Sequence, residues 1–187
     1  MIKFINSKQD KTILKNVKRL YISAFPKDER LSFFYLKQKA RQKSEDIFAV
    51  FDDENFVGMT CLVYYENITF IFYLATDERV RNQGYGTRIL NEIKNLKPNG
   101  RIVLNIEAVD ENSKGNKQKT RRKNFYTRNG FVSNGYIFEE EGVLFESLSF
   151  GGIVSCEEYT KLLKNYMGKF MYAYYYKNND NRFKKLN

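Results

Sequence analysis

Arg81-Asn82-Gln83-Gly84-Tyr85-Gly86-Thr87 stands between an apolar run, Phe70-Ile71-Phe72-Tyr73-Leu74-Ala75, and a stretch of helical character, Arg88-Ile89-Leu90-Asn91-Glu92-Ile93. The order reads strand, glycine turn, helix start. A helix that begins at such a turn aims several unpaired backbone N–H groups, and the positive end of its dipole, at one point in space. That point suits a phosphate. Gly84 and Gly86 let the backbone approach it with no Cβ in the way, and Thr87 adds a hydroxyl donor in the first turn.

The neighbouring residues narrow the ligand. A dinucleotide fingerprint would place glycine or alanine three residues after Gly86, where Ile89 stands, and the Gly-Lys-Ser/Thr of a P-loop is absent. The pattern that fits is Q/R-x-x-G-x-G/A, filled by Arg81, Gly84 and Gly86. It resembles the signature of the GCN5-related N-acetyltransferase (GNAT) superfamily, although a bare hexapeptide of this kind also reads as a helix-capping turn. About forty residues further on, Asn124-Phe125-Tyr126-Thr127-Arg128-Asn129-Gly130-Phe131 is similar to the second signature of that superfamily. There a helix carrying Phe-Tyr closes at a glycine, followed by an aromatic residue that opens a strand. Gly130 is the natural left-handed residue to close it.

The resemblance implies a GNAT-type acyl-CoA N-acyltransferase fold: a mixed central sheet flanked by helices, α/β in class, over residues 1–150. It also implies transfer of an acetyl group from acetyl-CoA, the cosubstrate, to a primary amine of a small molecule or peptide by direct attack on the thioester. The loop of Arg81, Asn82, Gln83, Gly84, Tyr85, Gly86 and Thr87 would hold the pyrophosphate. In that fold the strand before the loop diverges from the next parallel strand, and the pantetheine arm pairs with backbone exposed in the gap, here that of Leu74, Ala75 and Thr76. An N–H near Leu74 would face the thioester carbonyl and favour its developing charge.

Tyr126 matches the family tyrosine that protonates the departing CoA thiolate, a good leaving group that such an acid assists. The attacking amine must be neutral, so a carboxylate or a water held by one takes its proton. Glu107, late in the strand from Arg101 to Val109, and Glu66, at a turn, are the candidate holders. Lys119, Arg122 and Tyr126 share a helix face at i, i+3 and i+7, with Phe125 beside them, and would border the CoA channel. One departure stands out. Many relatives carry an asparagine one or two turns before the Phe-Tyr pair, whereas Lys119 occupies that spacing and Asn112 and Asn116 precede it. The insertion Asp110 to Gln118 is alternatively a mobile rim. The resemblance spans about residues 2 to 149 and is strongest over 70 to 131.

The composition of this 187-residue chain, 42% hydrophobic and 16% aromatic, excludes a disordered chain and allows one substantial core. No apolar run approaches the roughly 20 residues that span a bilayer, and Met1-Ile2-Lys3-Phe4-Ile5-Asn6 has no signal-peptide core. A cytoplasmic location without a membrane partner is the expectation. The absence of histidine excludes a Ser-His-Asp or Cys-His nucleophile. Cys61 and Cys156, far apart, offer neither a disulfide framework nor zinc-site spacing, so no metal is expected.

The net charge of +10 is uneven. Lys114, Lys117, Lys119, Arg121, Arg122, Lys123 and Arg128 crowd the segment leading into and along the Phe125-Tyr126 helix, with Glu111 as the only acid. Singly these read as a solvated face; together they favour a polyanionic cofactor.

Along the chain the pattern predicts a strand near 2–5 and an amphipathic helix with Ile13, Leu14, Val17, Leu20, Tyr21 and Ala24 on one side, interrupted by Pro26. A second helix over 31–41 follows. Strands at 46–51 and 56–65 form a hairpin through Asp52-Asp53-Glu54-Asn55, with a third strand at 69–76. A helix from Gly84 to Leu96 ends at Pro98-Asn99-Gly100, and Phe131–Phe138 with Val143–Ser149 make a final hairpin. The extension 151–187 offers a capping box at Ser155 and Glu158 and a helix with Tyr159, Leu162, Leu163, Tyr166 and Phe170 on one face. That face packs on the same domain or on a second subunit, as in a homodimer. The run Tyr172-Ala173-Tyr174-Tyr175-Tyr176 reads as an extra strand or packed terminal segment.

Phe25-Pro26-Lys27-Asp28-Glu29-Arg30 lies where the resembled fold places acceptor loops. Asp28 and Glu29, with Glu66 and Glu107, would form an acidic pocket for a cationic amine such as a polyamine, an aminoglycoside or a peptide N-terminus. Two alternatives remain. One is a non-catalytic acyl-CoA-binding regulatory domain. The other, less favoured, is a nucleic-acid-binding protein using the basic helix and the tyrosines; acidic clusters at 52–54 and 139–141 interrupt a continuous basic groove.

Overall fold

A computed structural model describes residues 1–8, 10–27, 30–41, 45–109, 116–176 and 182–186. The eight strands among them hydrogen-bond in the order β1-β2-β3-β4-β5-β7-β6-β8. Two compact units divide the chain, Met1–Tyr64 with Ile71–Pro98, and Tyr65–Phe70 with Asn99–Asn187, so strand β4 (Ile68–Thr76) contributes to both. No helix among the described residues is long and apolar enough to cross a membrane.

The first unit holds β1 (Ile2–Asn6), β2 (Glu45–Asp52), β3 (Asn55–Tyr65) up to Tyr64, and the later part of β4, with helices α1 (Lys11–Ala24), α2 (Phe33–Lys39) and α3 (Tyr85–Leu96). β1, β2 and β3 pair antiparallel. Alternation sends Ile47, Ala49, Met59, Cys61, Tyr73 and Ala75 to one face, where they form a core with Val17, Leu20 and Tyr21 of α1 and Leu36 of α2. Asp10 caps α1 by accepting from the N–H groups of Thr12 and Ile13, and Ser32 caps α2 through Tyr35.

Arg30 and Leu31, ahead of α2, are tied to the first helix and to β4. Tyr21 donates its hydroxyl proton to the Leu31 carbonyl (2.9 Å), the Leu31 N–H donates to the Tyr73 hydroxyl (3.1 Å), and the Arg30 guanidinium donates to the carbonyls of Ile22 and Phe25. Helix α3 meets the opposite face. A Cβ built on Gly58 would stand 3.1 Å from Ile89 Cδ1 of α3 and 2.6 Å from the Ala75 carbonyl oxygen of β4.

The second unit holds the start of β4, then β5 (Arg101–Glu107), α4 (Asn116–Arg128), β6 (Val132–Glu140), β7 (Val143–Phe150), α5 (Cys156–Met167), α6 (Lys169–Tyr176) and β8 (Phe183–Lys185). β4 and β5 run parallel through Ile68↔Arg101, Thr69↔Ile102 and Phe70↔Val103, where the ladder ends. β7 pairs antiparallel with β5 and β6, and β8 adds to β6. The extension therefore packs within this unit. The expected capping box is present at Ser155 and Glu158, and Glu158 also receives the Arg101 guanidinium at 2.6 and 3.0 Å. Tyr159 packs edge-on against Phe70 and beside Phe138. The Arg182 guanidinium lies 3.7 Å from the Tyr176 ring centre, 4.9 Å from that of Phe183 and 5.4 Å from that of Phe138.

Of the two readings of the tyrosine run, extra strand or packed terminal segment, the second holds, and the place of Phe170 is corrected. The tyrosine run is helix α6, held by the Tyr172–Tyr176 ring pair at 4.8 Å and by the Tyr176 hydroxyl donating to Glu140. Phe170 does not continue the buried face of α5, because that helix ends at Met167 with Gly168 as its cap; Phe170 is the second residue of α6 and is 95% exposed.

Gly58→Ala forces a methyl group onto a backbone oxygen that has no room to yield. We expect a loss of about 1–3 kcal/mol in urea unfolding with an unchanged m-value. The Glu158 carboxyl is held at about 2, first by the Arg101 guanidinium and then by the Ser155 N–H, against an ordinary value of 4.5. A lowered carboxyl stabilises the fold above its unfolded value, and that contribution is lost as pH falls through its folded one. Urea midpoints measured from pH 4.5 down to 2 should therefore fall less steeply in Arg101→Met than in the native chain.

Candidate functional site

In the first unit the end of β4 leads into the glycine turn. Backbone groups of alternate residues address opposite edges of a strand. The Tyr73 carbonyl accepts from the Thr60 hydroxyl, and the Asp77 N–H donates to the Val57 carbonyl at 2.9 Å, so odd-numbered residues here face β3. The Ala75 carbonyl, against Gly58, does the same. Leu74 and Thr76 then present their N–H and C=O groups to the other edge. Of the three residues expected to offer backbone to that edge, Ala75 turns its carbonyl to Gly58.

Beyond the strand, Asp77 caps a 3₁₀ turn (Glu78–Val80) and binds the Arg79 side chain at 2.8 and 3.0 Å. Asn82 and Gly84 both adopt positive φ, 63° and 80°. A Cβ on Gly84 would meet nothing within 4 Å, so this backbone borders open space. α1, α2 and α5 each carry a side-chain cap, but Gly84 at the head of α3 supplies none. The first N–H groups of α3, those of Tyr85, Gly86 and Thr87, are thus left for an outside acceptor. The Arg81 guanidinium has no ion pair among the described residues, whereas Arg79 and Arg88 are engaged by Asp77 and Asp52. Gln83 donates its side-chain amide to the Arg79 carbonyl.

In the second unit α4 carries the Phe-Tyr motif. Gly130 closes this helix at φ 82°, the Phe131 N–H donates to the Tyr126 carbonyl, and Phe131 is buried. Tyr126 sits edge-on to Phe125 at 5.1 Å and to Phe131 at 5.7 Å. Burial pushes its phenol up to about 12, with the Arg122 charge opposing. Lys119 and Arg122 both bind Glu107, at 3.2 and 3.0 Å on separate oxygens. Lys123 binds Glu146 of β7 at 2.7 Å, and Glu146 is 3% exposed. The basic helix is therefore partly neutralised by strand carboxylates.

These placements bear on the candidate bases. Both oxygens of Glu107 are occupied by cations. Glu66 is an exposed turn residue at φ 51°, at the start of β4, whereas the glycine turn follows the strand's far end. Asp28, Glu29, Asp110, Glu111, Asn112 and Lys114 lie outside the described residues. The sequence reading missed Gly58, Asp77, Asp52 and Glu146. Asp52 and Glu146 each meet their partners across a long stretch of chain, and no local pattern announces such a pairing.

Residues 43–133 match the sequence family described as Acetyltransferase (GNAT) domain. A protein from Bacteroides thetaiotaomicron assigned to the GNAT acetyltransferases shares 22% identity at a TM-score of 0.72, over 92% of this chain and 98% of its own. A GNAT family acetyltransferase from Elizabethkingia anophelis, solved with acetyl-CoA bound, shares 16% at 0.56, over 80% and 96%. An aminoglycoside 6'-N-acetyltransferase complexed with coenzyme A shares 13% at 0.63, over 80% and 95%. No curated protein matches the sequence. At these identities the structural likeness establishes the fold. The family match takes in both the glycine turn and the Phe-Tyr helix, so residues 43–133 carry a GNAT acetyltransferase domain.

Proposed function

We propose that the chain transfers an acetyl group from acetyl-CoA to a primary amine, with the glycine turn holding the pyrophosphate. The observation that carries this is the uncapped start of α3 behind Gly84, beside an Arg81 free of ion pairs among the described residues. Donors at a helix start, a dipole end and a free guanidinium together match a diphosphate. Leu74 and Thr76 offer backbone to the pantetheine arm, and the Leu74 N–H favours the oxyanion that forms as the amine attacks the thioester carbon.

The C–N bond forms, the C–S bond breaks, and Tyr126 serves the sulfur. A phenol at about 12 is a weaker acid than a thiol at roughly 8.5. Tyr126 therefore acts by donating a hydrogen bond to sulfur as charge develops there, ahead of complete proton transfer. With Glu107 occupied by Lys119 and Arg122, the amine gives up its proton to water. The two cations serve in this reading to hold α4 on β5.

Calorimetric titration with acetyl-CoA should give micromolar binding to the native chain, and Gly84→Glu, which puts a strained carboxylate in the anion site, should weaken it more than about tenfold. A folded native chain that does not bind would overturn the reading. Against a panel of a polyamine, an aminoglycoside and a short peptide, Tyr126→Phe should lower kcat about tenfold with acetyl-CoA binding unchanged, less than the roughly hundredfold of full acid catalysis. Turnover of no acceptor by the native chain would favour the acyl-CoA-binding alternative.

A further inference from the structure

The hairpin of β2 and β3 ends beside the glycine turn, and its last paired residue reaches it. The β2–β3 ladder shifts register between Val50 and Phe51: Val50 faces Gly58 and Phe51 faces Phe56, leaving Val57 as an extra residue on β3. A bulge of this kind twists and re-aims the strand beyond it. The residue re-aimed is Asp52, whose side chain is 18% exposed.

Its carboxylate addresses α3 at three points. Oδ2 accepts from Arg88 Nη1 at 2.8 Å and from the Tyr85 hydroxyl at 3.0 Å, while Oδ1 accepts from Arg88 Nη2 at 2.8 Å. The Arg88 guanidinium also stacks over the Tyr85 ring, 4.8 Å from its centre. The Met1 ammonium shares Oδ1 at 2.9 Å.

Tyr85 is the first residue of α3 and Arg88 lies three further on, so the two anchors bracket Gly86 and Thr87. Those residues, with Tyr85, carry the N–H groups that face the phosphate in the proposed function. Two glycines in four residues leave this turn little stiffness of its own.

We propose that Asp52 is a positioning residue of the cofactor site. It acts through Arg88 and Tyr85 to fix the first turn of α3, so that its N–H groups converge on the pyrophosphate. The pairing also takes Arg88 out of competition for the ligand, leaving Arg81 as the guanidinium that meets it. The inference rests on the reading of the turn as a pyrophosphate site.

The test compares a ligand that carries the diphosphate with one that lacks it. CoA is titrated calorimetrically, and pantetheine by ligand-observed NMR, into the native chain, Asp52→Ala, Arg88→Met and the double variant, with melting temperatures recorded in parallel. Asp52→Ala and Arg88→Met should each weaken CoA about tenfold, the double variant no further, and pantetheine binding should not change. Should Asp52→Ala not fold, Tyr85→Phe removes one bond to the same carboxylate and should weaken CoA about twofold to threefold, again sparing pantetheine.

CoA affinity within twofold of native in a folded Asp52→Ala, or an equal loss for pantetheine, would overturn the proposal while leaving the acetyl-CoA reading intact. Absence of CoA binding by the native chain would remove that reading, and this inference with it.

Discussion

For the proposed pyrophosphate site, the first N–H groups of α3 have to be held still and left unmet at once. A side-chain cap would hold them and occupy them, as Asp10, Ser32 and Ser155 do at α1, α2 and α5. At Gly84 there is no such cap, so the restraint comes from around the turn. The Asp77 N–H ties the strand side to Val57, and Asp77 fixes Arg79 across its own carboxylate. Gly58 lets the end of β4 approach β3 closely enough for that tie to form. The acids lie beside the glycine turn yet are directed into arginines, which limits their repulsion of the phosphate proposed to bind there.

Charge in the second unit follows a similar logic with the signs exchanged. α4 is a helix of cations with no acid of its own, and it is carried on strands that supply carboxylates. Glu146, nearly excluded from water, is tolerable only because Lys123 stands 2.7 Å away. Removing one partner of such a pair costs more than the pair contributes, so the helix and the two strands are locked together by mutual need. Tyr126 rides on this platform one turn beyond Arg122, whose charge moderates the effect of burial on the phenol.

What the sequence made legible is what depends on adjacent residues. The glycine turn, the helix closing at Gly130, the hairpin strands and the capping box at Ser155 and Glu158 are each encoded within a few positions, and each is present. The side to which Ala75 turns its carbonyl is not legible from adjacent residues, because strand parity is decided by which neighbour pairs with it. The tyrosine run read as an extra strand or a packed terminal segment and packs as a helix in which Tyr172 and Tyr176 stack one turn apart, while Gly168 resets the phase that had put Phe170 on the buried face. The meeting of Asp52 with Arg88 and the occupation of Glu107 by two cations lie beyond any local window, since they depend on which elements the sheet brings together.

The way the chain's last described residues are attached bears on solubility. Arg182 lends one cation to the rings of Phe138, Tyr176 and Phe183, and β8 covers the outer side of β6 with three paired residues. Strip this segment away and β6 becomes an open strand edge bearing Tyr136 and Phe138, next to an α6 that already shows Phe170 and Tyr174 to water. Bare edges of that kind recruit other strands. The short β8 is thus a guard against self-association, and a shortened chain would be expected to clump before it failed to fold.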